Sequence, residues 1–163
     1  MDRKIKAYTT LELLLVISIL GILSFLFVRE FLIYISRERL KNATEELASL
    51  ISNCKNRSIL SSQNCGYCLN GTHSIIFFLD NNKDGIFNAN SDTIFSHFSK
   101  ESENIQIGNG TTLSTCPQAA LFDKRGELIS GGAVAHSIIL KNKYEEKRKI
   151  TVNLLGRISV EAQ

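Results

Sequence analysis

The chain has 163 residues, of which 44% are apolar and 21% are charged. This balance is typical of a folded globular protein and excludes an intrinsically disordered chain. The net charge of +3 is too small to indicate nucleic-acid binding by itself. The length predicts one domain of about 100 residues in addition to an anchoring segment.

The N-terminus combines a short basic segment with a long apolar run. Arg3, Lys4 and Lys6 come first, and residues 13–28 contain no charged side chain. A membrane-spanning helix needs about 20 mostly apolar residues, and residues 8–28 supply 21 when Glu12 is included. Because Lys and Arg stay on the cytoplasmic side, the body is predicted to lie on the far side of the membrane.

Two simpler kinds of N-terminal segment fit this sequence less well. A secretory signal peptide expects a small-residue cleavage site after its apolar run, but residues 29–34 read REFLIY. A plain signal anchor does not explain Glu12, because a carboxylate inside a membrane costs about 2.5–3.5 kcal/mol at the helix centre and less near the end. Such a group requires a cationic partner. A free α-amine at Tyr8 would be one, and it exists if the chain is cut after Ala7.

Residues 7–14, AYTTLELL, resemble the processing site of the type IV pilin and pseudopilin family. Members of that family usually have Gly before the cut and Phe after it, whereas Ala7 and Tyr8 stand at these positions here. Glu12 stands at the fifth position of the processed chain, as the Glu of the family does. The resemblance implies that a prepilin peptidase cuts after Ala7 and that Tyr8 is N-methylated.

The resemblance also implies where the chain lies and what it contacts. The expected location is the bacterial inner membrane, with a cytoplasmic N-terminus and a periplasmic body, until the subunit is extracted into a filament. The expected partners are other pilin or pseudopilin subunits, which are contacted through the N-terminal helix. In the filament, Glu12 is expected to face the N-terminal amine of a neighbouring subunit.

Beyond residue 30 the helix is predicted to continue to about residue 59. Apolar residues recur at helical spacing along this part, with charged residues between them. These apolar positions are Ile33, Leu40, Ala43, Leu47, Leu50, Ile51 and Cys54. The helix is therefore predicted to be apolar all round in its first half and amphipathic in its second half, which packs on a sheet.

Strand patterns begin after about residue 61. The predicted strands span residues 74–79, 93–98, 104–107, 119–122, 137–140, 149–154 and 157–160, with a turn at residues 124–127. Residues 143–149 form a dense charge run, which predicts a solvated loop.

The predicted fold is α+β. A long N-terminal helix packs on a C-terminal antiparallel β-sheet body, which is the architecture that the pilin resemblance implies. The predicted divisions are a leader (1–7), a membrane and filament-core helix (8–30), its amphipathic continuation (31–60) and a β-rich body (61–163).

The C-terminal half resembles one subgroup of the family. Residues 121–126, LFDKRG, and residues 149–160, KITVNLLGRISV, are similar to a turn and the final hairpin of GspH/FimT-type minor pilins. This resemblance implies a minor pilin or pseudopilin, which is a structural subunit near the tip of a type IV pilus or type II secretion pseudopilus and not an enzyme. The alternative is a DNA-binding minor pilin for natural transformation. The sequence does not separate the type II secretion, type IV pilus and competence systems.

The four cysteines are Cys54, Cys65, Cys68 and Cys116. An even number in a small exported domain predicts two disulfides, and all three pairings remain open. Cys65 and Cys68 form a Cys-x-x-Cys pair, but a redox site needs its first cysteine at a helix N-terminus, and here a helix precedes the pair and a strand follows it. A four-thiolate zinc site is the other alternative, which a single Cys-x-x-Cys pair outside the cytoplasm disfavours.

Residues 80–85, DNNKDG, match the opening of a calcium loop. Asp80, Asn82 and Asp84 would supply oxygens to the ion. A carboxylate is wanted at the twelfth loop position, which is Ser91, and Asp92 comes one residue later. Calcium is thus the one cofactor that the sequence suggests, but it favours a turn of Asn, Asp and Gly between two strands, which requires no metal.

Basic residues near the C-terminus carry the DNA-binding alternative. Arg157 resembles the first Arg in the Gly-Arg-x-Arg of pilins implicated in DNA uptake, although Ser159 replaces the second. Arg148 and Lys149 would supplement it as phosphate-binding side chains. Two neighbouring glutamates dilute this positive charge, and no aromatic platform for stacking bases is interleaved.

Overall fold

A computed structural model describes residues 9–108, 110–130 and 135–162 of the chain. Along these residues it contains one long α-helix and then strands that pair into two sheets. The fold divides into two compact units, of which the first ends at Ile35 and the second begins at Ser36. The predicted cleavage site between Ala7 and Tyr8 lies outside the described residues.

Helix α1 spans Thr10–Ser61, close to the predicted range. Thr9 precedes it, and the Oγ1 atom of Thr9 accepts a 3.2 Å hydrogen bond from the backbone N–H of Glu12. This is the contact that a threonine N-cap makes with the third helical residue, and it satisfies an N–H group that has no partner within the helix. The helix ends where Ser62 takes a positive φ of 55°, the left-handed conformation that closes many helices.

The strands of the described chain follow the helix in sequence. They are β1 (Asn64–Leu69), β2 (Ser74–Asp80), β3 (Thr93–Ser99), β4 (Gln106–Ile107), β5 (Ala120–Phe122), β6 (Leu128–Ser130), β7 (His136–Lys141), β8 (Lys147–Val152) and β9 (Ile158–Ala162). The first sheet has the order β3-β2-β1-β5-β6, and the second has the order β4-β7-β8-β9. Neighbouring strands in both sheets are antiparallel, so the predicted fold class is confirmed.

The second unit is built around the part of α1 that begins at Ser36. Its buried apolar side chains lie at the predicted spacing: Leu40, Ala43, Leu47, Ile51 and Cys54. They form one core with buried residues of both sheets, among them Tyr67, Phe77, Phe122, Ile138, Leu140, Ile150 and Val152. The amphipathic second half of the helix is therefore confirmed as the central element of the core.

The sequence pattern does not predict β1 or β6. Four of the six residues of β1 are buried, because this strand is the central one of the first sheet and is covered on both faces. It therefore lacks the alternation of apolar and polar residues that reveals a half-buried strand. Strand β6 is a three-residue strand at the edge of the first sheet, directly after the predicted turn at residues 124–127.

The charge run at residues 143–149 is only partly a loop. Strand β8 begins at Lys147, so the prediction of a solvated loop is wrong for the last three residues of the run. The alternating burial of Ile150 and Val152 fixes this segment as a strand. Long basic side chains can occupy its first positions because their stems cover the sheet while their charged ends reach water.

Alternation along β1 determines how the cysteines pair. Residues three apart on a strand point to opposite faces of a sheet. Cys65 belongs to the core that contains α1 and is bonded to Cys54, whereas Cys68 belongs to a smaller core and is bonded to Cys116. The Cα atoms are 5.6 and 5.2 Å apart, which is usual for disulfides. All four sulfurs are therefore cross-links, and Cys65 and Cys68 are not bonded to each other.

The smaller core lies on the other face of the first sheet. Phe78 packs there against Phe87, with the ring centroids 4.9 Å apart. Gly66 is directly opposite Phe78 in β2 and Leu121 in β5. A Cβ atom on Gly66 would lie 2.6 Å from Cζ of Phe78, so the missing side chain at this position makes room for the buried ring.

We expect Gly66→Ala to lower the free energy of unfolding by about 1–3 kcal/mol, because the added methyl group overpacks the smaller core. Gly108→Ala is the matched control, since its new Cβ would lie an ordinary 3.5 Å from Cγ2 of Ile139. Urea denaturation of the full chain in detergent, followed by circular dichroism, measures both variants. Equal stability of the two variants would contradict the crowding at Gly66.

Tyr67 gives a second prediction. Its side chain is completely buried, and its hydroxyl has no hydrogen-bond partner among the described residues. Burial raises the pKa of this phenol above its ordinary value. Folding therefore favours the neutral form. The free energy of unfolding is unaffected by this group below about pH 10 and falls as the pH rises above that value.

We expect the wild-type protein to lose more unfolding free energy than Tyr67→Phe when the pH is raised from about 9 to about 11. At neutral pH, Tyr67→Phe should be as stable as the wild type or about 1 kcal/mol more stable, because it removes an unpaired hydroxyl. Urea denaturation at each pH measures both effects. Identical pH dependence in the two proteins would refute the assignment to Tyr67.

Candidate functional site

The first segment of α1 presents a continuous apolar surface. The large apolar side chains described between Leu11 and Val28 each expose 44–82% of their area. The helix also contains a window that is long and apolar enough to cross a membrane. An exposed apolar surface of this extent marks a site that a membrane or another protein covers.

Hydroxyl groups in this segment are satisfied within the helix. Ser18 and Ser24 each donate a 2.7 Å hydrogen bond through Oγ, to the backbone carbonyls of Leu14 and Leu20. A helix likewise satisfies its own interior backbone groups, which is the condition for entering a lipid bilayer. The segment can therefore lie in lipid, or among other apolar helices, without leaving these hydroxyls unpaired.

Glu12 lies in the first turn of α1, at the edge of the uncharged run. Its backbone N–H is bonded to Thr9, and its carboxylate lies where the helix dipole favours negative charge. The partner expected for it in a filament is the amine of Tyr8 in a neighbouring subunit. Ala7 and Tyr8 lie outside the described residues, so cleavage and methylation stay predictions.

The predicted calcium loop connects β2 and β3. Asp80 is fully buried, and its two carboxylate oxygens accept backbone N–H groups of Lys83 at 2.7 Å and Gly85 at 3.1 Å. Asp92 likewise accepts backbone N–H groups of Asn81 at 3.2 Å and Asn88 at 2.7 Å. Both carboxylates are thus engaged by the backbone of the loop itself.

The other two predicted ligands also contact each other. The side-chain amide of Asn82 donates to Oδ2 of Asp84 at 2.7 Å, and Oδ1 of Asp84 accepts the backbone N–H of Ile86 at 2.9 Å. Within the described parts of the chain, no group of three or more His, Cys, Asp or Glu side chains is placed to hold a metal ion. The observed geometry is that of the Asn/Asp/Gly turn, and calcium binding stays a prediction.

The three basic residues predicted to contact DNA do not form one patch. Arg148 and Lys149 are consecutive in β8, so their side chains point to opposite faces of the second sheet. Arg157 is exposed in the β8–β9 turn, five positions before Ala162, which is the residue paired with Arg148. Five strand positions span about 17 Å, so Arg157 lies about that far along the sheet from Arg148. DNA binding by these residues stays a prediction.

Sequence reasoning missed a polar contact between α1 and the β7–β8 turn. Nε of Arg37 donates to Oε1 of Glu146 at 2.9 Å, and the buried Asn142 donates to Oε2 of Glu146 at 3.1 Å. Hydrogen bonding from Arg37 outweighs the effect of burial and, together with Asn142, holds the pKa of Glu146 below its usual value. The only signal in the sequence was opposite charge, because 109 positions separate Arg37 from Glu146.

Three solved structures are similar to this fold. The minor pseudopilin EpsH of the type 2 secretion system of Vibrio cholerae matches with a TM-score of 0.56 and 14% identity, over 75% of this chain and 95% of that one. The type IV minor pilin FimU of Pseudomonas aeruginosa matches with a TM-score of 0.58 and 14% identity, over 77% and 90%. A second crystal form of FimU matches with a TM-score of 0.54 and 12% identity, over 74% and 91%.

These similarities establish a type IV pilin-like fold for the chain. At 12–14% identity, the similarities show the fold alone. No protein-family model and no curated protein matches the sequence.

We expect Asp80→Asn to lower the free energy of unfolding by about 1–3 kcal/mol, because one of the two backbone N–H groups bonded to the buried Asp80 loses its acceptor. The loss should be the same in EDTA and in excess calcium. Asp84→Asn, at an exposed position of the same loop, is the control and should cost less. Thermal unfolding under both conditions measures these effects, and a loss confined to calcium would show that an ion uses the Asp80 carboxylate.

Proposed function

We propose that this chain is a minor pilin or pseudopilin. It would be a structural subunit that is held in the bacterial inner membrane and then assembles with related subunits into a type IV pilus or a type II secretion pseudopilus. The similar folds of a minor pseudopilin and a type IV minor pilin support this proposal. The proposed role is assembly at or near the filament tip, with no catalysis by the chain itself.

One observation carries the proposal. The single helix Thr10–Ser61 has an exposed apolar surface in its first segment and a buried apolar stripe in its second. The buried stripe is the centre of a folded body, but the exposed surface requires an apolar partner. Lipid meets this requirement before assembly, and the apolar helices of neighbouring subunits meet it afterwards.

Processing at the predicted site would prepare this segment for assembly. Cleavage after Ala7 removes the basic leader and leaves a positively charged amine on Tyr8, which becomes methylated. Glu12 provides the opposite charge four residues further along the chain. Because a buried charge is tolerated when it is paired and is costly when it is alone, the amine of one subunit and Glu12 of another would align the two helices.

The cross-links support a periplasmic body. Disulfides form and persist in oxidising compartments outside the cytoplasm, and Cys54–Cys65 and Cys68–Cys116 staple the second unit. The basic leader favours a cytoplasmic N-terminus. Together these features support a single membrane pass with the body on the periplasmic side.

We expect Glu12→Ala to enter the membrane like the wild type but to fall about tenfold or more in sheared filaments, because an unpaired buried charge costs about 3–5 kcal/mol. Immunoblots of the membrane and filament fractions of cells that express each variant measure the two outcomes separately.

Glu30→Ala is the matched control for this experiment. It also removes one carboxylate from the exposed segment of α1, but beyond the uncharged run. Its amount in filaments should stay close to that of the wild type. Normal incorporation of Glu12→Ala, or an equal loss in both variants, would count against the proposed role of Glu12.

A further inference from the structure

Positive charge is concentrated in two segments of the second unit. Residues 141–149 contain five basic and two acidic side chains, and residues 37–41 contain three basic and one acidic. Their combined net charge is +5, whereas the whole chain has +3. The rest of the chain therefore carries a net negative charge, and the positive charge of the protein comes from these two segments.

The fold brings these two segments together. Arg37 in α1 is bonded to Glu146 in the β7–β8 turn, as described above. Asn142 holds the turn in shape, because its Oδ1 atom accepts the backbone N–H groups of Tyr144 at 2.9 Å and Glu146 at 3.1 Å. The basic turn, defined as residues 141–149, is thus attached to the start of the amphipathic half of the helix.

The attachment point is close in sequence to the apolar segment. Arg37 comes two residues after Ile35, and two residues span at most about 7 Å in any conformation. Residues 31–35 read FLIYI and extend the apolar character up to this point. If the first segment is held in a membrane, the short chain connection limits how far Arg37 and the turn bonded to it can lie from the lipid headgroups.

The tip of the basic turn has the side chains of a membrane interface. Tyr144 is exposed, and Nζ of Lys143 lies 4.9 Å from the centre of its ring. Tyrosine is enriched at the level of lipid headgroups, where its ring and its hydroxyl meet different surroundings. A lysine beside it can extend its ammonium group towards a phosphate while its stem stays on the ring.

We propose that the basic turn docks on anionic phospholipid headgroups of the membrane that holds the anchor. This inference rests on the proposed function, since it requires the first segment of α1 to be in that membrane. The attraction of an anionic surface falls off over about 8 Å at physiological salt, and Arg37 follows the predicted membrane helix (8–30) by seven residues, which is about 10 Å of α-helix. Duplex DNA offers the same phosphate chemistry but does not explain why the basic residues 37–41 follow the apolar segment directly in the sequence.

A polarity-sensitive fluorophore on Glu145→Cys tests this docking in the full chain, because Glu145 is exposed in the same turn and the substitution leaves Lys143 and Tyr144 in place. The labelled protein is reconstituted into phosphatidylcholine vesicles with and without phosphatidylglycerol. We expect a blue shift of the emission when phosphatidylglycerol is present, and its loss at about 1 M NaCl, where the Debye length is about 3 Å. The same probe on Lys124→Cys, in the β5–β6 turn, should not respond to the lipid composition.

Neutralised lysines provide a second measurement. Adding Lys141→Gln and Lys147→Gln to the labelled protein should lower the ratio of docked to undocked chains about fivefold for each lysine removed. These two residues face each other across β7 and β8. Lys83→Gln with Lys124→Gln is the matched control, because it removes the same charge from exposed turns elsewhere and should leave the ratio unchanged.

Flotation of the vesicles separates failure of this inference from failure of the proposed function. Protein that floats with the vesicles, while its probe ignores phosphatidylglycerol, overturns the docking and leaves the proposed anchor intact. Protein that does not float overturns both. A blue shift caused by duplex DNA and not by phosphatidylglycerol overturns the docking in favour of nucleic-acid binding.

Discussion

The burial of one helical stripe is the interaction on which the second unit depends. Leu40, Leu47 and Ile51 of α1 are covered by side chains from both sheets, which form one continuous core with them. Neither sheet has another α-helix to cover it among the described residues. The same helix carries, towards its N-terminus, an apolar surface that the chain leaves exposed. One element thus serves both the folding of the body and the contact with an apolar environment.

Strand β1 adds the second constraint, because it is covered on both faces. Cys65 and Cys68 lie on opposite sides of it, so each disulfide fastens a different layer to the first sheet. The loops closed by the two bonds span 11 and 48 residues and do not overlap. Gly66 lies between the two cysteines and leaves room for Phe78. A body of about 100 residues has a small core, and such cross-links stabilise it by restricting the unfolded chain.

The turns of the body share one kind of hydrogen bond, from a backbone N–H group to an Asp or Asn side chain. The residues that form it resemble functional motifs in the sequence. Side-chain oxygens accept backbone N–H groups of residues in the same turn or loop; the accepting residues are Asp80, Asp92, Asp123, Asn142 and Asn153. This is the common use of Asp and Asn in turns, where they replace hydrogen bonds that a sheet would otherwise provide. A loop that looks like a cation site can therefore be explained by the hydrogen bonds that it forms internally.

The sequence by itself determined the long helix, its division into an exposed apolar segment and an amphipathic one, and strands such as β2 and β3. Periodicity and charge are local properties, and they are sufficient for elements that face one apolar environment. Only the tertiary structure decided the cysteine pairing, the central strand β1, the contact between Arg37 and Glu146, and the separation of Arg148 from Arg157. Each of these depends on which face a residue occupies and which distant segment lies opposite, and neither is encoded in the spacing of residues along the chain.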